Sequence, residues 1–288
     1  MSLSFFLIQV MNGVQYGLLL FLVASGLTVI FGIMGIINLA HGSFFMIGAY
    51  LVYWLDTRVQ SFWLAVLLAL PLTVLLGYLV ERFLISVLYQ RDHLYQVLLT
   101  YGLILIFNEA QKVLWGNDPH GVPIPGLLAG SISLTENQTY PIYRLFMSGT
   151  CLAIASGMYI VVQRTKLGMM MRAGAHSREM VQCLGIDVRR LFAVVFSLGA
   201  ALAALSGMVA APVSSVYPGM GEQILIISFV VVVIGGIGSI KGALVGALLI
   251  GLADTFGKVF VPELAGMTIY ALMALVLLWR PQGLFGSA

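Results

Sequence analysis

The sequence predicts an all-α fold, a polytopic bundle of transmembrane helices. Hydrophobic residues make up 60% of the 288 positions and charged residues only 9%, and the mean hydropathy is +1.03, far from the composition of soluble globular domains. Long apolar runs without alternation, such as residues 63–80, favour helices over barrel strands, because a helix satisfies its backbone hydrogen bonds within one segment. We therefore expect one transmembrane domain over residues 1–288.

We predict eight or nine spans, since each needs about 20 apolar residues. The predicted spans are residues 8–32, 36–55, 62–85, 95–113, 143–163, 190–211, 223–236, 240–258 and 265–279. The stretches 36–55 and 223–236 are short or interrupted by glycine, so either could be a broken or re-entrant helix instead of a full crossing. The N-terminal residues lack a basic region and a cleavage site, and we expect them to be retained as the first helix.

One segment of this apolar chain, residues 164–190, is strongly charged, and we call it the basic island. It contains six of the fourteen Lys and Arg residues. Because loops rich in Lys and Arg stay on the cytoplasmic side, we predict that the island is a cytoplasmic loop. Residues 115–142, which contain no Lys or Arg, then form a periplasmic loop. Nine spans would place the N-terminus outside, and eight would place it inside.

Within the basic island, residues 173–184 are predicted to form one short helix. Met180, Val181 and Leu184 would lie on one flank of it, with Arg178 and Glu179 on another. Gly185 is placed to end the helix as a glycine C-cap. A structured, charged helix beside a membrane bundle indicates a docking surface for a soluble partner, although such islands also serve as topology signals that bind anionic headgroups.

No motif for catalysis, metal binding or nucleotide binding is found in the sequence. Residues 235–242 lack the spacing and the hydroxyl residue of a phosphate loop, and no HExxH, paired-cysteine or nucleophile-elbow motif occurs. We therefore predict no catalytic residue, no metal site and no bound cofactor. The net charge of +3 does not indicate nucleic-acid binding. Cys151 and Cys183 fall in different environments and are predicted to be unpaired packing residues.

Four polar residues in apolar segments are candidates for lining a translocation path. Asn12 and Gln15 are three residues apart and should share a face of the first helix. Asn38 and His41 have the same spacing beside a glycine-broken link, and we expect them to share a face as well. Buried polar groups in membranes mark either pathways or hydrogen bonds between helices, and both interpretations stay open for these four residues.

Glycine and other small residues recur at positions typical of close helix packing. Small residues are spaced by four at Gly199, Ala203, Gly207 and Ala211, the spacing that lets helix backbones approach in lipid. Two glycine-rich segments, residues 31–50 and 234–249, resemble each other weakly. Paired interruptions of this kind indicate a central pathway or an inverted repeat. Asp254 precedes Lys258 by four residues, so we expect a local ion pair between them.

Several motifs, in order along the chain, resemble those of one known family. They are NGVQYGLLLFLVASGLTVIFGIMGIINLAHGSFFMIGAYL, the island core A-x-A…LGID, GMGEQILIISFVVVVIGGIGSIKGALVGALLIGLADT and the terminal RPQGLFG. The island resembles the cytoplasmic coupling loop of permease subunits of bacterial ABC importers. The other motifs resemble, more specifically, the permeases for branched-chain amino acids. The resemblance covers essentially the whole chain, whose length is similar to that of the shorter of two related permeases.

This resemblance implies a transport subunit of the bacterial inner membrane that is not an enzyme. The implied partners are a second related permease in a heterodimer, two ATPase subunits that hold the ATP and Mg, and a periplasmic substrate-binding protein. The implied coupling residues are Arg172, Ala173, Ala175, Arg178, Glu179, Leu184 and Gly185. Residues 38–42 resemble the family's first-half signature and are implied to line the path.

The cargo is left open by the sequence. The first hypothesis is an ATP-driven importer of branched-chain or other amino acids. The nearest alternative keeps the ABC architecture but carries urea, short amides or a sugar. A third hypothesis, from a different class, is a secondary transporter that needs no ATPase.

Overall fold

The computed structural model describes residues 3–89, 91–135 and 138–286, which fold into helices apart from one small hairpin. The α-helices are α1 (Leu3–Met34), α2 (His41–Val59), α3 (Phe62–Phe83), α4 (His93–Trp115), α5 (Ile142–Arg164), α6 (Lys166–His176), α7 (Arg178–Cys183), α8 (Val188–Ala210), α9 (Met220–Gly235), α10 (Ile240–Phe260) and α11 (Ala265–Trp279). Short 3-10 helices cover Ile85–Leu88, Gly126–Leu128 and Pro262–Leu264. The two strands are β1 (Ser131–Thr135) and β2 (Gln138–Pro141).

Within the described ranges, seven helical segments are long and apolar enough to cross a membrane, namely α1, α3, α4, α5, α8, α10 and α11 together with the 3-10 helix before it, and α9 is a shorter apolar helix. The predicted fold class, a polytopic helical bundle, is confirmed. The count of eight or nine spans stays a prediction, because α2 has 19 residues but is less apolar than the seven, and α9 is apolar but has only 16 residues.

The predicted span at 36–55 begins with non-helical chain. α1 ends at Met34, Gly35 has a φ of +64°, and α2 starts only at His41. The Nε2 atom of His41 lies 2.9 Å from the carbonyl oxygen of Val23, in the interior of α1. Residues 35–40 therefore carry the chain back from the end of α1 to its middle. Asn38 precedes α2, so the prediction that it shares a helix face with His41 is wrong.

The second glycine-rich segment forms a tight turn between α9 and α10. Gly236 and Gly238 have φ values of +98° and +79°, a left-handed conformation that glycine adopts without strain. Gly235 packs directly on the backbone of Gly242, and Gly32 near the end of α1 packs on Gly238. The two glycine-broken links predicted from the sequence therefore meet at one end of the bundle.

Small residues bring α1 and α10 into direct backbone contact. A Cβ atom added at Gly17 would lie 2.8 Å from the carbonyl oxygen of Ala247, and one added at Gly13 would lie 3.2 Å from that of Gly251. Among lipid tails, which are as apolar as the side chains, this close packing replaces the hydrophobic effect as the source of helix association. α1 and α10 consequently form one wall of the core.

The small-residue face predicted for α8 is confirmed, because it packs on α1 and α2. Gly199 lies against the carbonyl of Gly26 in α1, and Gly207 lies against the carbonyl of Phe45 in α2. Gly48 of α2 packs on the backbone of Ala204. α8 is thus the central helix that joins α1 to α2.

The bundle has two chemically different ends. α1 and α8 run antiparallel, since Ser206 donates a hydrogen bond to the carbonyl of Leu19 and Gly199 contacts Gly26. The end of α1 therefore lies beside the start of α8 and the basic island, and we call this side the island end. The other side carries residues 116–135 and 138–141, and we call it the hairpin end.

The loop predicted at 115–142 contains a small β-hairpin that the all-α prediction did not include. β1 and β2 pair antiparallel, with Ser131 opposite Pro141 and Ile132 opposite Tyr140. His120, in the same loop, exchanges two backbone hydrogen bonds of 2.8 Å with Val216, in the loop between α8 and α9. These contacts hold both loops together over the hairpin end.

Replacing Gly207 by alanine is expected to lower the Tm of the purified protein in detergent. The new methyl group would collide with the carbonyl of Phe45, and overpacking of this kind costs roughly 1–3 kcal/mol. Gly149 in α5 offers the matched control, because a Cβ atom at that position meets no other group. Equal Tm values for Gly207→Ala and Gly149→Ala would show that the α2–α8 contact does not limit stability.

Candidate functional site

The basic island is anchored to the end of α5. Thr165 caps α6, since its Oγ1 accepts a hydrogen bond of 3.2 Å from the N–H of Gly168. The guanidinium of Arg172 donates to the carbonyl of Val162, near the end of α5. Arg172, one of the predicted coupling residues, therefore stabilises the corner between α5 and α6.

The prediction of one helix over residues 173–184 is wrong, because the chain forms two helices that break at Ser177. This residue has extended backbone angles, φ −155° and ψ 108°, and its hydroxyl oxygen accepts a hydrogen bond of 3.3 Å from the N–H of Met180. A serine side chain at an N-cap replaces a backbone acceptor and so starts a new helix. Ala173 and Ala175 consequently lie on α6, and Glu179 lies on α7.

α7 presents a small apolar surface outwards. Met180 and Leu184 are 63% and 73% exposed, whereas Val181 is only 2% exposed and belongs to the core. Met180 and Leu184 are four residues apart and share one side of the helix. The side chain of Arg178, another predicted coupling residue, lies outside the described part of the structure.

Gly185 ends α7 in the way predicted for a glycine C-cap. Its φ is +81°, its N–H donates to the carbonyl of Gln182 at 2.9 Å, and the N–H of Ile186 donates to the carbonyl of Val181 at 3.3 Å. Together these two bonds form a Schellman motif. The motif therefore sets the direction in which the chain leaves α7, two residues before α8 begins.

A basic cleft lies beside α7, between the end of α3 and the start of α8. It has a volume of about 490 Å³, and its walls include Arg82, Tyr89, Gln182 and Arg189. At its edge, Asp187 caps α8 by accepting a hydrogen bond of 3.0 Å from the N–H of Arg189. The cleft suits an acidic or polar group of a partner that sits against α7.

Asn12 and Gln15, two of the predicted path residues, both face α5. The Nη1 atom of Arg144 donates to Asn12 Oδ1 at 2.6 Å. The side-chain amide of Gln15 donates to the sulfur of Met147 at 3.8 Å. Both residues therefore make contacts between helices.

Asn38 and His41 lie elsewhere, in and beside the link between α1 and α2. Both are fully buried in the chain. His41 bonds to α1, while the side-chain oxygen and nitrogen of Asn38 have no hydrogen-bond partner among the described residues. The structure does not bring the four predicted residues together into one site, and their role in lining the path stays a prediction.

Gln15 also lines a cavity of about 230 Å³, so this predicted path residue borders an open space inside the bundle. Apolar residues including Leu19 and Ile224 line it, and Tyr217 and Gln223 supply polar groups. The Tyr217 hydroxyl donates to Gln223 Oε1 at 2.7 Å. Its other residues were not predicted, since they come from α1, α2, α5, the end of α8, α9 and the loop before α9, which are far apart in the sequence.

The remaining polar predictions have mixed outcomes. The ion pair between Asp254 and Lys258 is confirmed, with a distance of 2.5 Å. Both cysteines are free, as predicted, and Cys151 is buried, but Cys183 is exposed on α7, so its predicted packing role is wrong. Among the described residues, no group of three or more His, Cys, Asp or Glu could hold a metal ion.

Comparison with known proteins shows that most of the chain matches one protein family. Residues 9–277 match the family described as "Branched-chain amino acid transport system / permease component". No solved structure matches the chain.

Named relatives match over nearly the full length. The chain is 31% identical to the high-affinity branched-chain amino acid transport system permease protein BraD of Pseudomonas aeruginosa, over 98% of this chain and 96% of BraD. It is 29% identical to the corresponding protein LivH of Escherichia coli K12, over 98% of this chain and 96% of LivH. It is also 27% identical to the permease protein LivM of the same organism, over 90% of this chain and 66% of LivM.

Replacing Ser177 by alanine is expected to speed hydrogen exchange at the amide of Met180, because the capping hydroxyl is lost. Loss of an N-cap costs about 1 kcal/mol, so exchange should quicken about fivefold in α7. Ser177→Asp is the matched variant, since aspartate also caps helices well. Mass-spectrometric hydrogen exchange of residues 178–186 makes the measurement, and equal protection in the alanine and aspartate variants would contradict the capping role.

Proposed function

The chain belongs to the family of branched-chain amino acid transport system permease components, and we propose that it forms the translocation path of an ATP-driven importer of branched-chain amino acids. Members of this family are transport subunits and not enzymes. The match along nearly the whole chain carries the proposal. Within the chain, the exposed surface of α7 and the lack of a nucleotide-binding motif support it.

The protein is a multi-pass membrane protein. We propose that it resides in the bacterial cytoplasmic membrane, with the island end in the cytoplasm and the hairpin end outside. The distribution of charge supports this orientation, because most basic residues lie at or near the island end. They are Arg82, Arg91, Arg164, Lys166, Arg172, Arg178, Arg189, Arg190, Lys241 and Arg280.

A permease partner fits the relatives, since LivH and LivM are both named as permease proteins of a high-affinity branched-chain amino acid transport system in one organism. We propose that this chain pairs with such a second permease. Two ATPase subunits would hold ATP and Mg, and a periplasmic binding protein would deliver the amino acid. This chain itself would bind no cofactor.

We assign α7 to the contact with an ATPase subunit. Its exposed apolar pair, Met180 and Leu184, offers a surface that a groove on a soluble partner could bury. The Schellman motif at Gly185 sets the direction in which the chain leaves α7, two residues before α8 begins, and the bond from Arg172 fixes α6 to α5. Because α8 packs backbone to backbone on α1 and α2, a displacement of α7 would pass directly into the core of the bundle.

The proposed function is tested by uptake of labelled leucine, isoleucine and valine in proteoliposomes. The vesicles contain this chain with its second permease and ATPases, and the binding protein is added outside. Uptake should require ATP inside the vesicles. Uptake driven by an ion gradient alone, or uptake of urea, short amides or sugars in place of leucine, would contradict the proposal.

Replacing Met180 and Leu184 by aspartate is expected to reduce leucine uptake and ATPase co-purification about tenfold or more, since unpaired charges in an interface cost on the order of 1–3 kcal/mol each. The amount of chain in the membrane should not change, because both side chains are exposed. Cys183→Ser, on the same helix, is the matched control and should behave like the wild type. Undiminished co-purification of the ATPases with the double variant would refute the assignment of α7.

A further inference from the structure

An exposed polar patch lies between α4 and α9 towards the hairpin end. The side-chain amide of Asn108 in α4 donates to Glu222 Oε1 in α9 at 2.5 Å. One residue further along α4, Glu109 pairs with Lys112 at 2.6 Å. Glu222 itself is exposed, so its carboxylate lies on the outer surface of this chain.

This patch lies within the length of the bundle and not beyond its end. Asn108 is seven residues before Trp115, the last residue of α4, which corresponds to about 10 Å along a helix axis. Gly221, the neighbour of Glu222, packs against Gly42 at the start of α2. A carboxylate at this level is costly against hydrocarbon, so the surface around Glu222 must face water or another protein.

The surface between α4 and α9 is polar near the hairpin end and apolar towards the island end. Towards the island end, the exposed side chains on the same two helices are apolar, with Leu105 on α4 50% exposed and Ile226 on α9 49% exposed. This order of polar and apolar surface would suit a cargo that has a charged group at one end and an apolar side chain at the other. Branched-chain amino acids have this chemistry.

The hydrogen bond between Asn108 and Glu222 leaves oxygen atoms of both side chains available as hydrogen-bond acceptors. A carboxylate only accepts, so the Asn108 nitrogen is the donor and the Asn108 oxygen points elsewhere as a second acceptor. No lysine or arginine side chain that the structure describes forms an ion pair with Glu222. A primary ammonium has three N–H donors and a positive charge, which match this arrangement.

We propose that Glu222, with Asn108 beside it, binds the ammonium group of the amino acid in a water-filled path that opens at the hairpin end. This inference rests on the proposed function, which supplies an amino acid as cargo. It names a residue that sequence reasoning missed and identifies the α4–α9 surface as a wall of the path.

The first test compares leucine uptake and ATP hydrolysis by the full transporter in proteoliposomes. With Glu222→Gln, leucine uptake should fall roughly tenfold or more, as expected for loss of a hydrogen bond to a charged group. ATP hydrolysis stimulated by the binding protein should stay within about twofold of the wild type, because the island end is unchanged. Glu222→Asp should restore a large part of the uptake. Glu263→Gln, at an exposed carboxylate beyond α10, is the matched control and should have no effect.

The outcomes separate the inference from the proposed function. A wild-type transporter that imports no branched-chain amino acid refutes the proposed function, whatever Glu222 does. Normal leucine import by both the wild type and Glu222→Gln overturns only the ammonium site. A parallel loss of uptake and ATP hydrolysis in Glu222→Gln also overturns it, because that result indicates a defect in assembly or coupling.

The second test measures water access and does not depend on transport. Glu222→Cys is introduced into a background of Cys151→Ala and Cys183→Ser, and Cys183→Ser alone is the control that retains only the buried Cys151. Each assembled transporter is treated with a membrane-impermeant thiol reagent from the hairpin side. Glu222→Cys should be modified at least about tenfold faster than the buried Cys151 of the control, because thiol reagents need the thiolate that forms in water. Lack of modification at Glu222→Cys would place this residue against lipid or the second permease and would overturn the proposal.

Discussion

Direct contact between helix backbones is the constraint on which the rest of this structure depends. Lipid tails compete with apolar side chains on equal terms, so a membrane bundle gains stability from close packing and not from burial of apolar surface alone. α8 meets α1 at Gly199 and α2 at Gly207, and α1 meets α10 at Gly17. These contacts fix the relative positions of α1, α2, α8 and α10. They therefore also fix the positions of the two glycine-broken links, which join α1 to α2 and α9 to α10.

At the island end, α6 and α7 are held to this core, so the exposed surface of α7 is connected to the packed helices. Three local devices set its geometry: the Thr165 cap of α6, the bond from Arg172 to α5, and the Schellman motif at Gly185. None of these requires a long-range contact, since each joins residues that are close in sequence. A short helix that would be unstable alone is thereby held in one direction against α8.

Local and periodic features could be predicted from the sequence, whereas features set by distant contacts could not. The C-cap at Gly185, the ion pair of Asp254 and the small face of α8 follow from spacing along one segment. The break at Ser177 was missed because apolar periodicity continues across it, and only the hydroxyl's bond to Met180 reveals it. The pairing of Asn108 with Glu222 joins residues far apart in the chain, so no spacing could indicate it.

The broken start of α2 has a consequence for how the protein is made. α2 is long enough to span a membrane but is not apolar enough to count among the seven candidate spans, and it contains the buried polar residues His41 and Asp56. During synthesis it would therefore gain less by entering the bilayer alone than the more apolar helices do. Its packing partners, Ala204 and Gly207, emerge from the ribosome much later. A chain that stalls before α8 would therefore leave the face of α2 around Phe45 and Gly48 without its packing partner, although α2 could already contact α3.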